Sequence, residues 1–256
     1  MNMFERFVAL HKNEAPLLLG NIWDVNSAII LKNAGYKAIG TSSQAVAKSL
    51  GYEDGEQMPF DSLLQLARRV IEIVKIPFSV DMEGGYSRST KEIIEKLEKL
   101  HETGVVGINL EDTVVHTSRQ LQDVEEFQKT ISVIAEHISR NNLKMFLNIR
   151  TDGFLLNMPT ALKETLTRIE SYEKAGADGI FIPCITSKDD IKVVVSATDL
   201  PVNVMCMPGL PNFDDLKSLG VKRISTGPFL HSYANKKTEE ILSKILLDNN
   251  FSSLFI

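Results

Sequence analysis

The chain is poor in cysteine, with Cys184 and Cys206 the two thiols among 256 residues. That is too few for a disulfide framework, and the spacing does not suit a structural zinc site. Long apolar runs are missing too: no stretch approaches the roughly 18 apolar residues of a membrane span. The first residues, Met1-Asn2-Met3-Phe4-Glu5-Arg6, lack the apolar core of a signal peptide. Basic residues do not dominate. Lys and Arg total 28 against 33 Asp and Glu, a formal net charge of −5, and no basic cluster offsets it. A nucleic-acid partner is therefore not expected. There is no charge block, no low-complexity segment and no linker rich in Pro or Ser. These absences leave a globular protein with no membrane or nucleic-acid partner, and a reducing cytoplasm is the expected compartment.

What is present recurs. A helical run, a Gly and an apolar strand follow one another in Lys32-Asn33-Ala34-Gly35-Tyr36-Lys37-Ala38-Ile39 and in Glu102-Thr103-Gly104-Val105-Val106-Gly107-Ile108. The unit returns at Lys174-Ala175-Gly176-Ala177-Asp178-Gly179-Ile180 and at Ser218-Leu219-Gly220-Val221-Lys222-Arg223-Ile224. In each, a left-handed Gly can close the helix, and the apolar run reads as a buried strand. Strands are expected near Leu17–Gly20, Ala38–Thr41, Phe78–Asp81, Gly107–Glu111, Met145–Arg150, Gly179–Ile182, Val202–Met205 and Arg223–Ser225. Helices are expected over Phe60–Val74, Thr90–Glu102 with a Ser89/Glu92 capping box, Val124–Arg140, Thr160–Ala175, Ser187–Ser196 and Phe213–Leu219. Eight strands alternating with helices imply parallel pairing through right-handed crossovers. The length matches the roughly 250 residues of a (β/α)8 TIM barrel. An open doubly wound sheet usually has a Gly-rich phosphate loop after its first strand, and Gly20-Asn21-Ile22-Trp23-Asp24 is not one. The expectation is a single barrel domain over 1–256, with a C-terminal helix at about 237–248 packing on the barrel or on a neighbouring subunit.

Barrel strands present their C-terminal ends to the active site. Those ends carry Asn21 and Asp24, Thr41, Ser42 and Ser43, Asp81 and Glu83, Glu111 and Asp112, Arg150, Asn203, then Ser225 and Thr226. Carboxylates and an arginine gathered at one mouth call for a cation and an anion among them. With hard oxygen donors and no His or Cys expected nearby, Mg2+ fits, with Mn2+ as the alternative. Alternation along the strand points Asp81 and Glu83 the same way, and Gly84 and Gly85 would let backbone approach a bound species.

Asp81-Met82-Glu83-Gly84-Gly85-Tyr86 resembles the Asp-x-Asp-x-Gly-Tyr motif of the isocitrate lyase/phosphoenolpyruvate mutase superfamily, which ends that family's third strand. Asn21-Ile22-Trp23-Asp24 with Ser27-Ala28 is similar to its opening motif, and Thr41-Ser42-Ser43 to its carboxylate-binding loop. Asp54 falls at a further acidic position. Ile108-Asn109-Leu110-Glu111-Asp112, Ile149-Arg150-Thr151-Asp152 and Pro201-Val202-Asn203-Val204 follow in the family's order, and the match runs from about residue 4 to 235. The resemblance implies Asp81 as the direct Mg2+ ligand, with Glu83, Glu111 and Asp54 holding its water shell. It implies Ser42, Ser43, Asp81, Arg150 and Asn203 as substrate contacts, with Trp23 beside them. Arg150 and Glu111 are candidate catalytic groups, joined by His116 and Arg119 from the gate segment.

The departures narrow the chemistry. The family's isocitrate and methylisocitrate lyases carry a Lys-(Lys/Arg)-Cys-Gly-His loop after the fourth strand, with the cysteine as general acid. Here that region reads Thr113-Val114-Val115-His116-Thr117-Ser118-Arg119-Gln120. The phosphonate mutases use a Lys-Asn pair in that loop and a sixth-strand histidine, where this chain has Pro183-Cys184. The resemblance is thus to the phosphonomutase-like subgroup. The expected activity is Mg2+-dependent cleavage of a C–C bond in a small 2-oxo or 2-hydroxy carboxylate, oxaloacetate-like, through an enolate. P–C bond chemistry of the phosphoenolpyruvate mutase or phosphonopyruvate hydrolase kind is the alternative, and a metabolite sensor without turnover is a third. A Schiff-base aldolase is excluded, because Lys37, Lys144 and Lys222 lie at strand starts. The apolar tail from Ile241 to Ile256 suits a homo-oligomer, a dimer or tetramer.

Overall fold

The computed structural model describes residues 1–115 and 117–255. The strands are β1 (Leu17–Ile22), β2 (Ala38–Thr41), β3 (Phe78–Asp81), β4 (Gly107–Glu111), β5 (Thr113–Val115), β6 (Arg119–Leu121), β7 (Phe146–Arg150), β8 (Gly179–Ile182), β9 (Val202–Met205) and β10 (Arg223–Ser225). Eight of them close a parallel barrel in the order β1-β10-β9-β8-β7-β4-β3-β2, while β5 and β6 pair antiparallel as a separate hairpin. The fold is the expected (β/α)8 barrel. The Gly that ends each repeated unit is left-handed, with φ of 94° at Gly35 and 99° at Gly104. A residue with a Cβ is disfavoured there, so the chain leaves the helix and enters the next strand.

The helices are α1 (Met3–Lys12), α2 (Val25–Asn33), α3 (Ser43–Ser49), α4 (Phe60–Ile73), α5 (Thr90–Thr103), α6 (Val124–Arg140), α7 (Ala161–Lys174), α8 (Lys188–Ser196), α9 (Phe213–Ser218) and α10 (Phe229–Asp248). In α4, Leu63, Leu64, Ala67 and Val70 are buried on one face, the spacing that lays a helix against a sheet. Asp123 caps α6 by accepting from the N–H groups of Glu125 and Glu126 at 2.9 and 3.1 Å. The capping box expected at Ser89 and Glu92 does not form. Instead Glu92 accepts from the Ser87 hydroxyl at 2.7 Å, and Ser89 makes no side-chain cap bond. Helix α10 starts well before 237, because no Gly or Pro interrupts the chain from Phe229 to Asp248. Among the described residues, no helix is long and apolar enough to cross a membrane.

Beneath the strands, Phe7 of α1 packs with Leu17, Leu19, Ala38, Val106 and Phe146 and covers the N-terminal end of the barrel. His11, also on α1, is sandwiched there, stacked on Phe146 with ring centroids 4.5 Å apart. One ring nitrogen lies 2.8 Å from the Phe7 carbonyl and donates to it, while Nε2 has no partner. Burial, and then the Arg223 charge, push the His11 pKa down to about 3. Its folded-state pKa therefore lies below the unfolded value. The neutral ring contributes stability that is complete above about pH 6.5 and drains away as pH falls towards 3. At 1.36 kcal/mol per unit, about 2–3 kcal/mol should go between pH 6.5 and 4.5. Urea unfolding at both pH values should show His11→Phe losing less stability on acidification than the wild type. Equal losses would refute the assignment.

The barrel interior is not wholly apolar. Asn109 and Asn148 are buried on the paired strands β4 and β7, and Asn203 and Arg223 on the paired strands β9 and β10. Asn109 Oδ1 accepts from Asn148 at 2.8 Å and from Arg223 at 3.3 Å.

Candidate active site

The C-terminal ends of the strands surround a cavity of about 500 Å³. That volume suits a small-molecule ligand. Asp81 ends β3 inside it, with Oδ2 accepting from the Ser43 hydroxyl at 3.0 Å. Its own N–H donates to Thr41 Oγ1 at 2.7 Å. Ser42 caps α3, its hydroxyl 3.4 Å from the Ala45 N–H, so the β2–α3 turn is fixed beside the carboxylate. Burial pushes the Asp81 carboxyl up, against the downward pull of Arg150 and the Ser43 hydroxyl.

Glu83 does not follow the strand alternation. The strand ends at Asp81, and Glu83 has φ 50°, a left-handed conformation that turns its side chain aside. Its carboxylate accepts from the N–H groups of Gly55 and Glu56 at 2.9 and 2.7 Å and from the Tyr86 hydroxyl at 3.1 Å. Glu83 thus holds the loop that carries Asp54. Burial, followed by the charges of Asp54, Asp81 and Glu111, pushes its pKa up to about 8. The glycines beside it serve packing. A Cβ on Gly85, whose φ is 97°, would stand 2.7 Å from Ile93 of α5, and one on Gly84 would stand 3.1 Å from the Thr113 carbonyl.

Glu111 ends β4 between two guanidinium groups. Arg119 Nη1 contacts Oε1. Arg150 Nη1 lies 2.9 Å from Oε2, an ion pair too bent to count as a hydrogen bond, so that oxygen accepts none. Arg150 also donates through Nε and Nη2 to the two oxygens of Asp152 at 2.6 and 3.0 Å. This is the planar, two-pronged pairing an arginine makes with a carboxylate. Behind it, Asp112 accepts from the Asp152 N–H at 3.2 Å, from Arg168 at 3.1 Å and from the Tyr172 hydroxyl at 2.9 Å. Burial lifts the Asp112 pKa to about 6 despite Arg168.

The gate segment is the β5–β6 hairpin, and Arg119 at the start of β6 is its reach into the site. Its Nη2 lies 3.0 Å from Asp54 Oδ2, and its Nη1 reaches Glu111, Thr113 and Asp152. His116, the other gate candidate, lies outside the described residues.

The fold therefore gathers Ser42, Ser43, Asp54, Asp81, Arg119 and Arg150 around one cavity, with Glu83 and Glu111 buried directly behind. It does not bring Trp23 or Asn203 to the cavity wall. Trp23 packs against His231, ring centroids 5.1 Å apart, and Asn203 donates to Val204 O and Ser225 Oγ. The sequence reading did not select Asp152 or Thr113 as site residues. Asp152 could have been found from its position two residues after Arg150, since a buried arginine needs a carboxylate within reach. Cys184 does line the cavity, contrary to the expectation of no thiol nearby. It is half-buried, and burial pushes the thiol up, so it stays neutral.

Five carboxyl groups (Asp54, Asp81, Glu83, Glu111 and Asp152) crowd around two guanidiniums here, and burial together with their mutual repulsion raises the pKa of Asp81, Glu83 and Glu111. Asp54 Oδ1 and Glu111 Oε2 are buried acceptors without a hydrogen-bond donor. Both observations fit a divalent cation with oxygen ligands. Among the described residues, no three acidic, His or Cys side chains stand close enough to grip an ion together. The fit is therefore to an ion that keeps most of its water and touches one carboxylate, which is how Mg2+ is commonly held.

A family model described as phosphoenolpyruvate phosphomutase matches residues 7–246. An uncharacterized protein of Mycobacterium tuberculosis is 33% identical over 226 residues, which cover 88% of this chain and 83% of the relative. The 2-methylisocitrate lyase of Salmonella typhimurium is 25% identical over 85% of this chain and 76% of its own length. An oxaloacetate decarboxylase of Bradyrhizobium is 26% identical over 80% and 70%. Among solved structures, a phosphonomutase-like protein from Burkholderia cenocepacia superposes with a TM-score of 0.88 at 35% identity, covering 94% of this chain and 99% of that one.

Proposed function

The chain belongs to the phosphoenolpyruvate phosphomutase family, within the isocitrate lyase/phosphoenolpyruvate mutase superfamily, and is an enzyme of that type; from this premise we propose that it is a Mg2+-dependent lyase cleaving a C–C bond of a small 2-oxo or 2-hydroxy carboxylate. One observation carries the reading. Asp81, Asp54, Arg119 and Arg150 line one cavity at the C-terminal end of the barrel, with Glu111 bridging the two arginines from behind.

Mg2+ or Mn2+ at Asp81, with Glu83, Glu111 and Asp54 holding its water, would supply Lewis-acid polarisation of the 2-oxo group. The chain's own residues do the rest. Ser43 orients Asp81 through its hydroxyl. Asp152 and Glu111 hold the Arg150 guanidinium in one plane, so it meets an anionic substrate group without reorganising. Arg119 stands ready to oppose negative charge that develops as the bond breaks, and it ties the hairpin over the site. Ser42 and Ser43 are the substrate-carboxylate side. The gate segment has no cysteine, so the proton donor differs from the thiol of the family's isocitrate lyases.

The test is Mg2+-dependent pyruvate release from oxaloacetate, 2-methylisocitrate and phosphonopyruvate in parallel. Oxaloacetate turnover is the expected result. Turnover of phosphonopyruvate alone would replace the reading with P–C bond chemistry, which the likeness to the phosphonomutase-like structure favours. No turnover of any 2-oxo acid, with binding intact, would mark a sensor.

We also propose a homo-oligomer. On the α10 tail, Leu246 and Leu247 are 82% and 84% exposed, and Phe251 and Phe255 are exposed beside them, a patch that calls for a partner. Light scattering should give two or four times the 28.6 kDa chain mass. A monomer at micromolar concentration would contradict this.

A further inference from the structure

Asn109 stands midway along β4, opposite Asp81 of β3 and Asn148 of β7 in the parallel register. It is buried, yet it lines the cavity from below the strand ends. Its amide oxygen accepts from Asn148 Nδ2 at 2.8 Å and from Arg223 Nη2 at 3.3 Å. Asn148 alone would not fix the amide, since both side-chain amides could turn over together and exchange roles. A guanidinium has no acceptor, so the atom facing Arg223 must be oxygen. The Nδ2 of Asn109 is thereby left on the other side. It has no hydrogen-bond partner among the described residues, and unlike Asn203 Oδ1 it is not sealed from the cavity.

The same bond accounts for Arg223. That guanidinium is buried with no carboxylate paired to it among the described residues, and its hydrogen bond goes to Asn109. A cation donating to the amide oxygen polarises the amide and makes its N–H groups stronger donors. Neighbouring donors are spent elsewhere. Asn21 Nδ2 donates to Thr41 O at 2.8 Å, the Ser43 hydroxyl to Asp81, and the Ser225 hydroxyl to Val204 O. Arg119 and Arg150 are held by carboxylates. Asn109 thus offers a neutral, uncommitted N–H beside Asp81. Such a donor gains little from a carbonyl oxygen and much from one that becomes negative.

We propose that Asn109 is a catalytic residue that donates its amide N–H to the C2 oxygen of a 2-oxo acid as that oxygen becomes an enolate, with Arg223 as the positioning residue that fixes the amide. This rests on the lyase reading and adds a donor from the barrel interior. In oxaloacetate the bond between C3 and the C4 carboxylate breaks, and carbon dioxide leaves. The bonding pair forms the C2–C3 double bond, and the carbonyl pair moves onto the C2 oxygen. A proton then taken up at C3 gives pyruvate.

Calorimetric binding in the presence of Mg2+ compares oxalate, whose oxygens carry charge as an enolate oxygen does, with pyruvate, whose C2 oxygen is neutral. Asn109→Leu keeps the size and charge and removes the donor. The wild type should prefer oxalate. Asn109→Leu should cut that preference at least about tenfold and lower kcat for oxaloacetate about 100-fold, with KM within about threefold. Asn109→Asp keeps the acceptor for Arg223 and Asn148, so the core stays satisfied, and it should show the same loss. Arg223→Gln, which can accept as well as donate, should show a smaller loss that Arg223→Lys restores. An oxalate preference unchanged in both Asn109 variants would overturn the proposal, as would a raised KM at unchanged kcat. The binding comparison needs no turnover. If the wild type leaves oxaloacetate intact while its oxalate preference still depends on Asn109, the lyase reading fails and the donor stands.

Discussion

Replacing Asp81 with asparagine is expected to lower kcat/KM at least about a thousandfold for whatever 2-oxo acid the wild type turns over, equivalent to about 4 kcal/mol of lost transition-state stabilisation. In metal-free buffer the variant should unfold no more easily than the wild type. Both outcomes follow from the same surroundings. The Asp81 carboxyl is buried, and desolvation drives its pKa up, with Asp54 adding a smaller push in the same direction. An ionised group in that setting weakens the metal-free fold, and a neutral amide of the same shape removes the penalty. The function, by contrast, needs the charge. Added Mg2+ should raise the melting temperature of the wild type, by mass action on the folded state, and leave that of the variant unchanged. An active Asp81→Asn enzyme, or one with an undiminished Mg2+ shift, would remove Asp81 as the ligand.

Much of the barrel was legible because its strands are short, mostly apolar runs, most of which end on polar residues, and β2, β4, β8 and β10 each follow a Gly turn. Gly107–Glu111 and Gly179–Ile182 occupy the residues their patterns pointed to. The hairpin was not legible. Thr113-Val114-Val115 is a β-branched run, but a gate loop was expected there, and its register with Arg119-Gln120-Leu121 emerges only from cross-strand pairing. Glu83 shows a second limit. Period-two alternation holds while the backbone is extended and lapses where φ turns positive, as it does immediately beyond β3. Arg223 shows a third. As the first residue of its strand it reads as solvated, yet it is 1% exposed inside the barrel, with Nε and Nη1 unpartnered, and burial pushes its pKa down to about 9. Nothing local marks that burial; it follows from α1 closing the barrel beneath it. The site was legible as a set of strand ends. The second row that fixes those ends, Asp152 above all, was not.

That second row carries the largest stability prediction. Arg168→Met is expected to destabilise the fold by about 3–5 kcal/mol at neutral pH, the cost of stranding one charge of a buried pair. Arg168 on α7 is 4% exposed and Asp112 is fully buried. The guanidinium reaches Asp112, the Tyr172 hydroxyl at 2.8 Å, Gln122 O at 2.8 Å and Glu164 at 2.7 Å, so methionine leaves several acceptors short of a donor. The pH dependence gives the mechanism away. Burial already raises the Asp112 pKa to about 6, and without Arg168 it must rise further. A carboxyl whose folded pKa exceeds its unfolded value favours the fold when protonated, so that stabilisation is present at low pH and lost as pH rises. The deficit of Arg168→Met should therefore be largest above pH 7 and shrink towards pH 5, and Arg168→Met/Asp112→Asn should recover part of it at neutral pH. Activity should fall alongside, by about 10- to 100-fold, as for other groups that orient a site ligand from behind. The route is explicit: Arg168 holds Asp112, Asp112 holds the Asp152 N–H, and Asp152 holds Arg150 in its plane. Urea unfolding across this pH range checks the first half. A deficit independent of pH would mean that packing of the side-chain stem, and not the stranded Asp112 charge, supports this wall of the barrel.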